Sequence, residues 1–257
     1  MVLPLNGKQI LITREEKQAK EFTHQVMQSG GVPIEVPLLK ITCKYDEVLA
    51  QLNKKRKLFR WLFFTSTNGV RCFFQILKES DISHDFLAES KFAAVGHKTA
   101  RELESYGYQA DFIPSTYSAE SMTKDFFTEY SQIEEPVLIV RGNRSRNVLP
   151  LWLKGQEVQF ETVEVYETGS HLSEKDNLNA TLNRQNLDAI TFTSPSSVDA
   201  FMEMKDKQYM NFPPIVCIGT TTKDRASEWE LTNLLVPGEF TIDGMMTLME
   251  EYFKQKG

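Results

Sequence analysis

Arginine and hydroxyl side chains follow the apolar runs of this sequence, where they could bind an anion together. Thr13 and Arg14 come directly after one such run, and Arg141, Arg144 and Arg146 cluster after another. Guanidinium groups form paired hydrogen bonds with a carboxylate or a phosphate. An arginine at a helix start is unfavourable unless an anion is nearby, so the cluster indicates anion binding, with simple decoration of a helix start as the alternative.

Hydroxyl residues recur where a predicted strand ends and a helix begins. Ser66 and Ser194 each close an apolar run, and Gly96 and Gly219 are each followed three residues later by a threonine, Thr99 and Thr222. Backbone N–H groups at helix starts bind anions with the help of such hydroxyls. Taken one at a time, most of these residues are explained as ordinary helix caps.

Tyr166 is the titratable residue whose position is most suggestive of chemistry. It ends the predicted strand 158–165, where the chain is expected to pass between domains. A phenol with an ordinary pKa of about 10 keeps its proton at neutral pH and can donate it. The alternative is an aromatic ring that packs on the sheet end. The four histidines share no metal-ligand spacing, although His97 follows Gly96 at a strand end, and no nucleophile elbow is present.

The elements that must position these residues alternate between short strands and amphipathic helices. The apolar pattern predicts strands at 9–13, 32–36, 61–65, 92–95, 112–113, 137–140, 158–165, 189–193, 215–218 and 234–236. It predicts helices at 15–29, 67–78, 97–106, 144–154, 174–183, 196–205, 221–229 and 242–254, and one that begins after Ser118. Such alternation is typical of an α/β protein whose parallel sheets carry helices on both faces.

The two halves of the sequence repeat each other in order. Residues 64–70 match 192–198 at an offset of 128, and residues 11–14 match 138–141 at an offset of 127. At an offset of 123, residues 95–99 match 218–222, residues 112–114 match 235–237, and Ser118 matches Thr241. We therefore expect two copies of one flavodoxin-like, doubly wound domain. Ligands of such sheets bind at the carboxyl ends of the strands, so a cleft between the domains is the expected site.

Composition narrows the class of protein further. The 257 residues are 41% hydrophobic and 25% charged, with a net charge of −6, which predicts a soluble globular protein that binds neither nucleic acid nor a membrane. No run approaches the roughly 18 apolar residues of a membrane span, and the amino terminus does not resemble a signal peptide. Three widely spaced cysteines are expected to be free or buried thiols in a cytoplasmic protein.

The ordered motifs together resemble the uroporphyrinogen-III synthase family. They are Ile12–Arg14, Phe64–Ser66, Ala94–Gly96 with Thr99, Val163–Thr168, Thr191–Ser197 and Cys217–Thr222. The resemblance implies two flavodoxin-like domains with their first strands exchanged, joined by a two-stranded connector. Domain 1 would comprise 1–36 and 168–257, domain 2 would comprise 41–163, and the connectors would be 37–40 and 164–167.

The same resemblance implies a reaction and a site. Members of the family cyclise the linear tetrapyrrole hydroxymethylbilane to uroporphyrinogen III, with loss of water and inversion of the last ring, and use no metal or organic cofactor. Tyr166 matches the tyrosine proposed to assist departure of the hydroxyl group. Ser66 and Ser194 match carboxylate contacts, and Thr99 and Thr222 match threonines at the cleft. The remaining candidate binding residues are Thr13, Arg14, Thr67, Arg141, Asn143, Ser196 and Thr220.

One motif departs from the family, and two other functions stay open. This chain has Gly219–Thr222 without the proline that often follows the glycine in that family. A non-catalytic binder or sensor of a small polyanion would need the same residues, and a sugar-phosphate enzyme is a weaker alternative. We expect a monomer that binds a polycarboxylate tetrapyrrole and makes at most transient contact with the preceding enzyme of its pathway.

Overall fold

A computed structural model describes residues 3–45, 59–130, 133, 136–184 and 186–256. Contacts divide the chain into two compact units, unit 1 with residues 1–40 and 169–257, and unit 2 with residues 41–168. None of the described helices is long and apolar enough to cross a membrane.

Unit 1 contains a five-stranded sheet whose neighbouring strands are all parallel. Its strands, in spatial order, are β10 (Leu234–Leu235), β9 (Ile215–Cys217), β8 (Ala189–Phe192), β1 (Gln9–Ile12) and β2 (Val32–Glu35). Its helices are α1 (Glu16–Gln28), α6 (Lys175–Arg184), α7 (Pro195–Met204), α8 (Thr220–Glu228) and α9 (Ile242–Lys256).

Alternate residues of the unit 1 strands enter two separate cores. Ile10 and Ile12 pack with α1 and α9 on one face, whereas Leu11 packs with α6 and α7 on the other. Successive strand side chains point to opposite faces, so every side chain of a strand covered on both sides is buried. This explains why β8 is buried at all four positions.

Unit 2 contains a second five-stranded sheet. Its strands, in spatial order, are β3 (Leu39–Cys43), β7 (Phe160–Ser170), β6 (Val137–Gly142), β4 (Trp61–Phe64) and β5 (Lys91–Ala94). Strands β7, β6, β4 and β5 pair in parallel. Its helices are α2 (Thr67–Glu79), α3 (His97–Glu104), α4 (Ala119–Glu129) and α5 (Val148–Gly155). Two cores again lie on opposite faces, one against α2 and α3 and one against α4 and α5.

The predicted α/β class with parallel sheets is confirmed, and the differences lie in short or edge elements. The run 112–113 makes one parallel bridge, from Phe112 to Ala93, instead of a strand. Strand β7 continues beyond residue 165 to Ser170. The helix predicted from residue 144 begins at Val148, because the guanidinium group of Arg141 holds the preceding turn through Asn147 and the Ser145 carbonyl.

The expectation of three free or buried thiols is wrong for two of the cysteines. Cys43 and Cys72 form a disulfide, with their Cα atoms 5.1 Å apart, whereas Cys217 is a buried free thiol. The two half-cystines are 29 residues apart in sequence and meet because β3 ends beside α2. A linear spacing cannot reveal such a pair.

We expect thiol titration to distinguish these cysteines. Burial raises the pKa of the Cys217 thiol to about 12, so almost none of it is the reactive thiolate at pH 8. The folded protein should therefore react with no equivalent of Ellman's reagent, the unfolded unreduced protein with one, and the unfolded reduced protein with three. Three equivalents before reduction would contradict the disulfide.

Candidate functional site

The carboxyl ends of β4, β5 and β6 bring polar residues of unit 2 to one edge of its sheet. Thr65 and Ser66 follow β4, Gly96 follows β5, and Arg141 and Gly142 end β6. Parallel strands all end at the same edge, where helix N-termini also point. Tyr166 joins this edge, because it pairs in register with Gly142 across β6 and β7.

Tyr166 is held by a hydrogen bond and by a close fit of its ring. Its hydroxyl lies 3.0 Å from Ser66 Oγ, and either atom could donate. Ser66 is the N-cap of α2, and its Oγ accepts from Gly69 N at 3.0 Å. When Ser66 donates its proton to the phenol oxygen, the Tyr166 hydroxyl proton is free to be donated elsewhere.

Gly142 provides the space that the Tyr166 ring occupies. A Cβ atom at residue 142 would lie within 3 Å of three carbons of the ring. Asn143 fixes the same segment, because its backbone N–H donates to the Tyr166 carbonyl at 3.1 Å and its side-chain oxygen accepts from Thr168 N at 3.0 Å. The loop after β6 therefore sets the position of Tyr166. Gly142 contacts the ring of Tyr166, and Asn143 holds its backbone.

A pocket of about 380 Å³ lies at the same edge of unit 2. It is lined by Thr65, Val95, Tyr117, Ser118, Ala119, Ile139, Arg141, Arg144, Ser145, Arg146, Leu149 and Pro150. Ser118 caps α4, and α5 begins at Val148, so the starts of two helices contribute to its wall. Three guanidinium groups and two helix N-termini make this pocket suited to an anion.

The three clustered arginines have different surroundings. Arg141 is only 6% exposed, donates to Asn147 Oδ1 at 2.8 Å and to the Ser145 carbonyl, and keeps an Nε with no hydrogen-bond partner among the described residues. Arg146 pairs with Glu120 at 2.6 and 3.0 Å, and this pairing lowers the pKa of the Glu120 carboxyl. Arg144 is exposed at the pocket. Of the three, Arg141 mainly holds the turn.

The corresponding edge of unit 1 carries Thr13 and Arg14. Thr13 is 1% exposed, and its hydroxyl donates to the Thr191 carbonyl at 2.7 Å, which joins β1 to β8. Its hydroxyl is thus used inside the unit. Arg14 is half-buried and donates to Gln18 Oε1 from two nitrogens. Burial lowers the pKa of Arg14, while Glu21 and Glu15 oppose that shift.

The hydroxyl residues predicted from the repeat fall into three groups. Ser194 caps α7, as Ser66 caps α2, and it forms a reciprocal capping box with Ser197. Thr99 and Thr222 are both buried in the first turn of their helices. Thr67, Ser196 and Thr220 form the third group, whose hydroxyls are exposed or half-buried at the helix starts.

Several residues at these edges are not among the sequence candidates, and three of them contact a candidate residue or line the pocket beside it. Gly142 leaves room for the ring of Tyr166, and Ser197 completes the capping box with Ser194. Tyr117 lines the unit 2 pocket. Ser197 had a visible signal, because a serine three residues after an N-cap completes the box. Gly142 had no such signal in the sequence, because Tyr166, which it contacts, is 24 residues away and on another strand.

The fold and these edges define an α/β protein that carries helix N-termini and arginines at the carboxyl ends of its parallel strands. The model of the family described as "Uroporphyrinogen-III synthase HemD" matches residues 20–247. The chain belongs to the uroporphyrinogen-III synthase family. The resemblance of the ordered motifs to that family is therefore confirmed, and with it the assignment to the enzymes of tetrapyrrole biosynthesis.

Individual relatives agree with this assignment. "Porphyrin biosynthesis protein HemD" of Ruminiclostridium josui is 27% identical over 254 residues, which are 98% of this chain, although the chain spans only 50% of that protein. "Uroporphyrinogen-III synthase" of Synechococcus elongatus is 28% identical over 265 residues, which cover 98% of each chain.

Two solved structures share the fold. The uroporphyrinogen-III synthetase of Helicobacter pylori superposes with a TM-score of 0.64 at 18% identity and covers 96% of this chain and 99% of that one. A mutant uroporphyrinogen III synthase of Thermus thermophilus gives a TM-score of 0.61 at 16% identity, with 98% and 100% coverage.

Proposed function

We propose that this chain cyclises hydroxymethylbilane to uroporphyrinogen III, with loss of water and inversion of the last pyrrole ring. The observation that carries the proposal is the Tyr166 hydroxyl, held 3.0 Å from Ser66 Oγ at the edge of the sheet that also bears the arginine-lined pocket, in a chain of this family.

Tyr166 is proposed to donate a proton to the hydroxyl group that leaves the substrate. Water then departs, and the remaining azafulvene cation is attacked by the substituted carbon of the terminal ring. The spiro intermediate fragments at the bond that originally joined the terminal ring to the chain, and that ring rejoins through its unsubstituted α-carbon. Loss of the proton from this carbon gives the inverted ring and balances the proton that Tyr166 donated. Ser66 supports the donor, because its hydroxyl can donate to the phenol oxygen while its own oxygen accepts from Gly69 N. The protein mainly supplies a proton and a fixed geometry.

The eight carboxylates of the substrate are proposed to bind at the strand ends of the two units. Exposed or half-buried groups are suited to contact them directly, and these are Arg14, Ser66, Thr67, Arg144, Ser194, Ser196 and Thr220. Thr13, Thr99, Arg141 and Thr222 are buried and Asn143 is bonded to Thr168, so these residues are proposed to shape the helix starts and turns. Local cations and amide groups must hold this polyanion, because the whole chain carries a net charge of −6.

We further propose that units 1 and 2 are two copies of one flavodoxin-like domain. Both sheets support this, since β7-β6-β4-β5 in unit 2 corresponds to β2-β1-β8-β9 in unit 1 when β6 is matched with β1 and β4 with β8. These are the strand pairs that the repeats at offsets 127 and 128 match. Strands β3 and β7, which both contain residues of the two units, are proposed as the two-stranded connector.

The test of this function is the isomer that the protein makes. Purified protein is incubated with freshly generated hydroxymethylbilane, and the products are oxidised and separated as porphyrin isomers. We expect the type III isomer to dominate, whereas the reaction without protein gives type I by spontaneous closure. Tight tetrapyrrole binding with an unchanged isomer ratio would identify a non-catalytic binder and contradict the proposal.

A further inference from the structure

Tyr117 and Phe240 occupy matching places in the two units. They are 123 residues apart, the same offset that relates Gly96 to Gly219. Each is followed by a hydroxyl residue that caps the next helix. Ser118 Oγ accepts from Ser121 N at 3.1 Å, and Thr241 Oγ1 accepts from Gly244 N at 3.0 Å. The repeat thus preserves an aromatic ring next to a helix start.

Each ring packs on the glycine that lies at the N-cap of the neighbouring helix. A Cβ atom at residue 96 would lie 3.0 Å from Tyr117 Cγ, and one at residue 219 would lie 3.2 Å from Phe240 Cγ. Both glycines have an extended backbone, with φ of 179° and −165°, which any residue can adopt. The aromatic ring therefore accounts for the glycine in each unit.

Both rings stay largely in contact with solvent. Tyr117 is 64% exposed and Phe240 is 57% exposed, whereas twelve of the phenylalanines are buried within the cores of their units. An exposed aromatic ring gives up the free energy that its burial would supply. Because both aromatic rings are exposed at equivalent positions of the repeat, we infer that they contact a ligand.

The surroundings of Tyr117 indicate what that ligand contains. Tyr117 lines the unit 2 pocket beside Arg141, Arg144 and Arg146. The Arg144 guanidinium group, which is exposed at the pocket, can bind a carboxylate, and the aromatic ring offers a surface for a flat apolar group next to it. A ring that bears carboxylate side chains combines both features. The rings of His97 and Tyr117 make an edge-to-face contact, with their centroids 5.4 Å apart, which helps to fix the orientation of Tyr117.

We propose that Tyr117 and Phe240 each bind one pyrrole ring of the tetrapyrrole substrate by stacking, one ring in each unit. This inference rests on the proposed function, whose substrate has four such rings, each with two carboxylates. The aromatic side chains hold the rings, and the arginines and helix starts hold the carboxylates. Neither residue takes part in proton transfer, so their effect is on substrate binding.

The test compares leucine variants with variants that keep an aromatic ring. Tyr117→Leu and Phe240→Leu should each raise the KM for hydroxymethylbilane about three- to ten-fold, with kcat within about two-fold of the parent value. Tyr117→Phe and Phe240→Tyr keep the ring and should keep the parent KM. Phe127→Leu is the matched control, because Phe127 is 43% exposed on α4 yet does not line the pocket.

The outcomes separate this inference from the proposed function. If the parent protein makes no type III isomer, the proposed function fails. If the parent makes it and both leucine variants keep the parent KM, the ring-binding role is wrong. The ring-binding role would also be wrong if Phe127→Leu raised KM as much as the two leucine variants do. It would be wrong as well if Tyr117→Phe and Phe240→Tyr raised KM together with a lowered Tm, because the effect would then come from lost stability.

Discussion

Phenylalanine in place of Tyr166 is expected to lower the kcat for type III isomer formation by about ten-fold or more. The substitution removes only the hydroxyl, which lies 3.0 Å from Ser66 Oγ and is the proposed proton donor to the leaving hydroxyl group. The ring keeps its packing against Gly142 and against the core beside α2, so Tm should change little. The measurement is kcat at substrate saturation, together with Tm.

Tyr108→Phe is the matched control for this experiment. Tyr108 packs against the same core as Tyr166, and its hydroxyl also has a hydrogen-bond partner, His84 Nδ1 at 3.2 Å. Its hydroxyl contacts His84 and not Ser66 at the carboxyl end of β4, so loss of this hydroxyl should leave kcat unchanged. If Tyr166→Phe keeps the parent kcat, the phenol is not the proton donor and Tyr166 only packs on the sheet end.

Alanine in place of Gly142 is expected to lower kcat about a hundred-fold although every reactive group remains. The new Cβ atom would lie within 3 Å of three Tyr166 ring carbons, so the ring must move away from its position beside Ser66. A displacement of about 1 Å at a reacting group can reduce turnover by that factor. The overlap should also lower the free energy of unfolding by about 1–3 kcal/mol, which leaves an ordinary protein folded.

Two further variants test the cause of this effect. Gly155→Ala, at the end of α5, places its Cβ atom in open space and should keep both kcat and the free energy of unfolding. In a Tyr166→Ala background, which lacks the overlapping ring, Gly142→Ala should cost less stability than it does in the parent protein, while kcat stays low. Full activity in Gly142→Ala would show that Tyr166 need not stay where Gly142 allows it.

Sequence patterns predicted the local structure best where neighbours along the chain decide it. Ser66 and Ser194 cap helices in both units because an N-cap and its helix are contiguous in sequence. The same patterns overestimated the exposure of Thr13, whose hydroxyl donates to a carbonyl on β8, 178 residues away. Whether a strand-end hydroxyl faces solvent depends on which strand lies beside it.

The cysteines and the arginine cluster show the same limit. Cys43 and Cys72 have no recognisable spacing and become partners only because β3 ends beside α2. Arg141 and Arg144 are three residues apart, yet one is buried and holds a turn while the other is exposed at the pocket. Residue type predicted the charge at this edge but not which guanidinium group is available.

The sequence by itself determined the α/β class and the family, because apolar periodicity and ordered motifs are properties of contiguous residues. Tertiary structure decided which candidates can meet a ligand. It placed the Tyr166 hydroxyl on Ser66, its ring on Gly142, and the exposed rings of Tyr117 and Phe240 on the glycines that begin α3 and α8. These contacts join segments that are distant in sequence, and only the register of neighbouring strands and the packing of helices on the sheets brings such segments together.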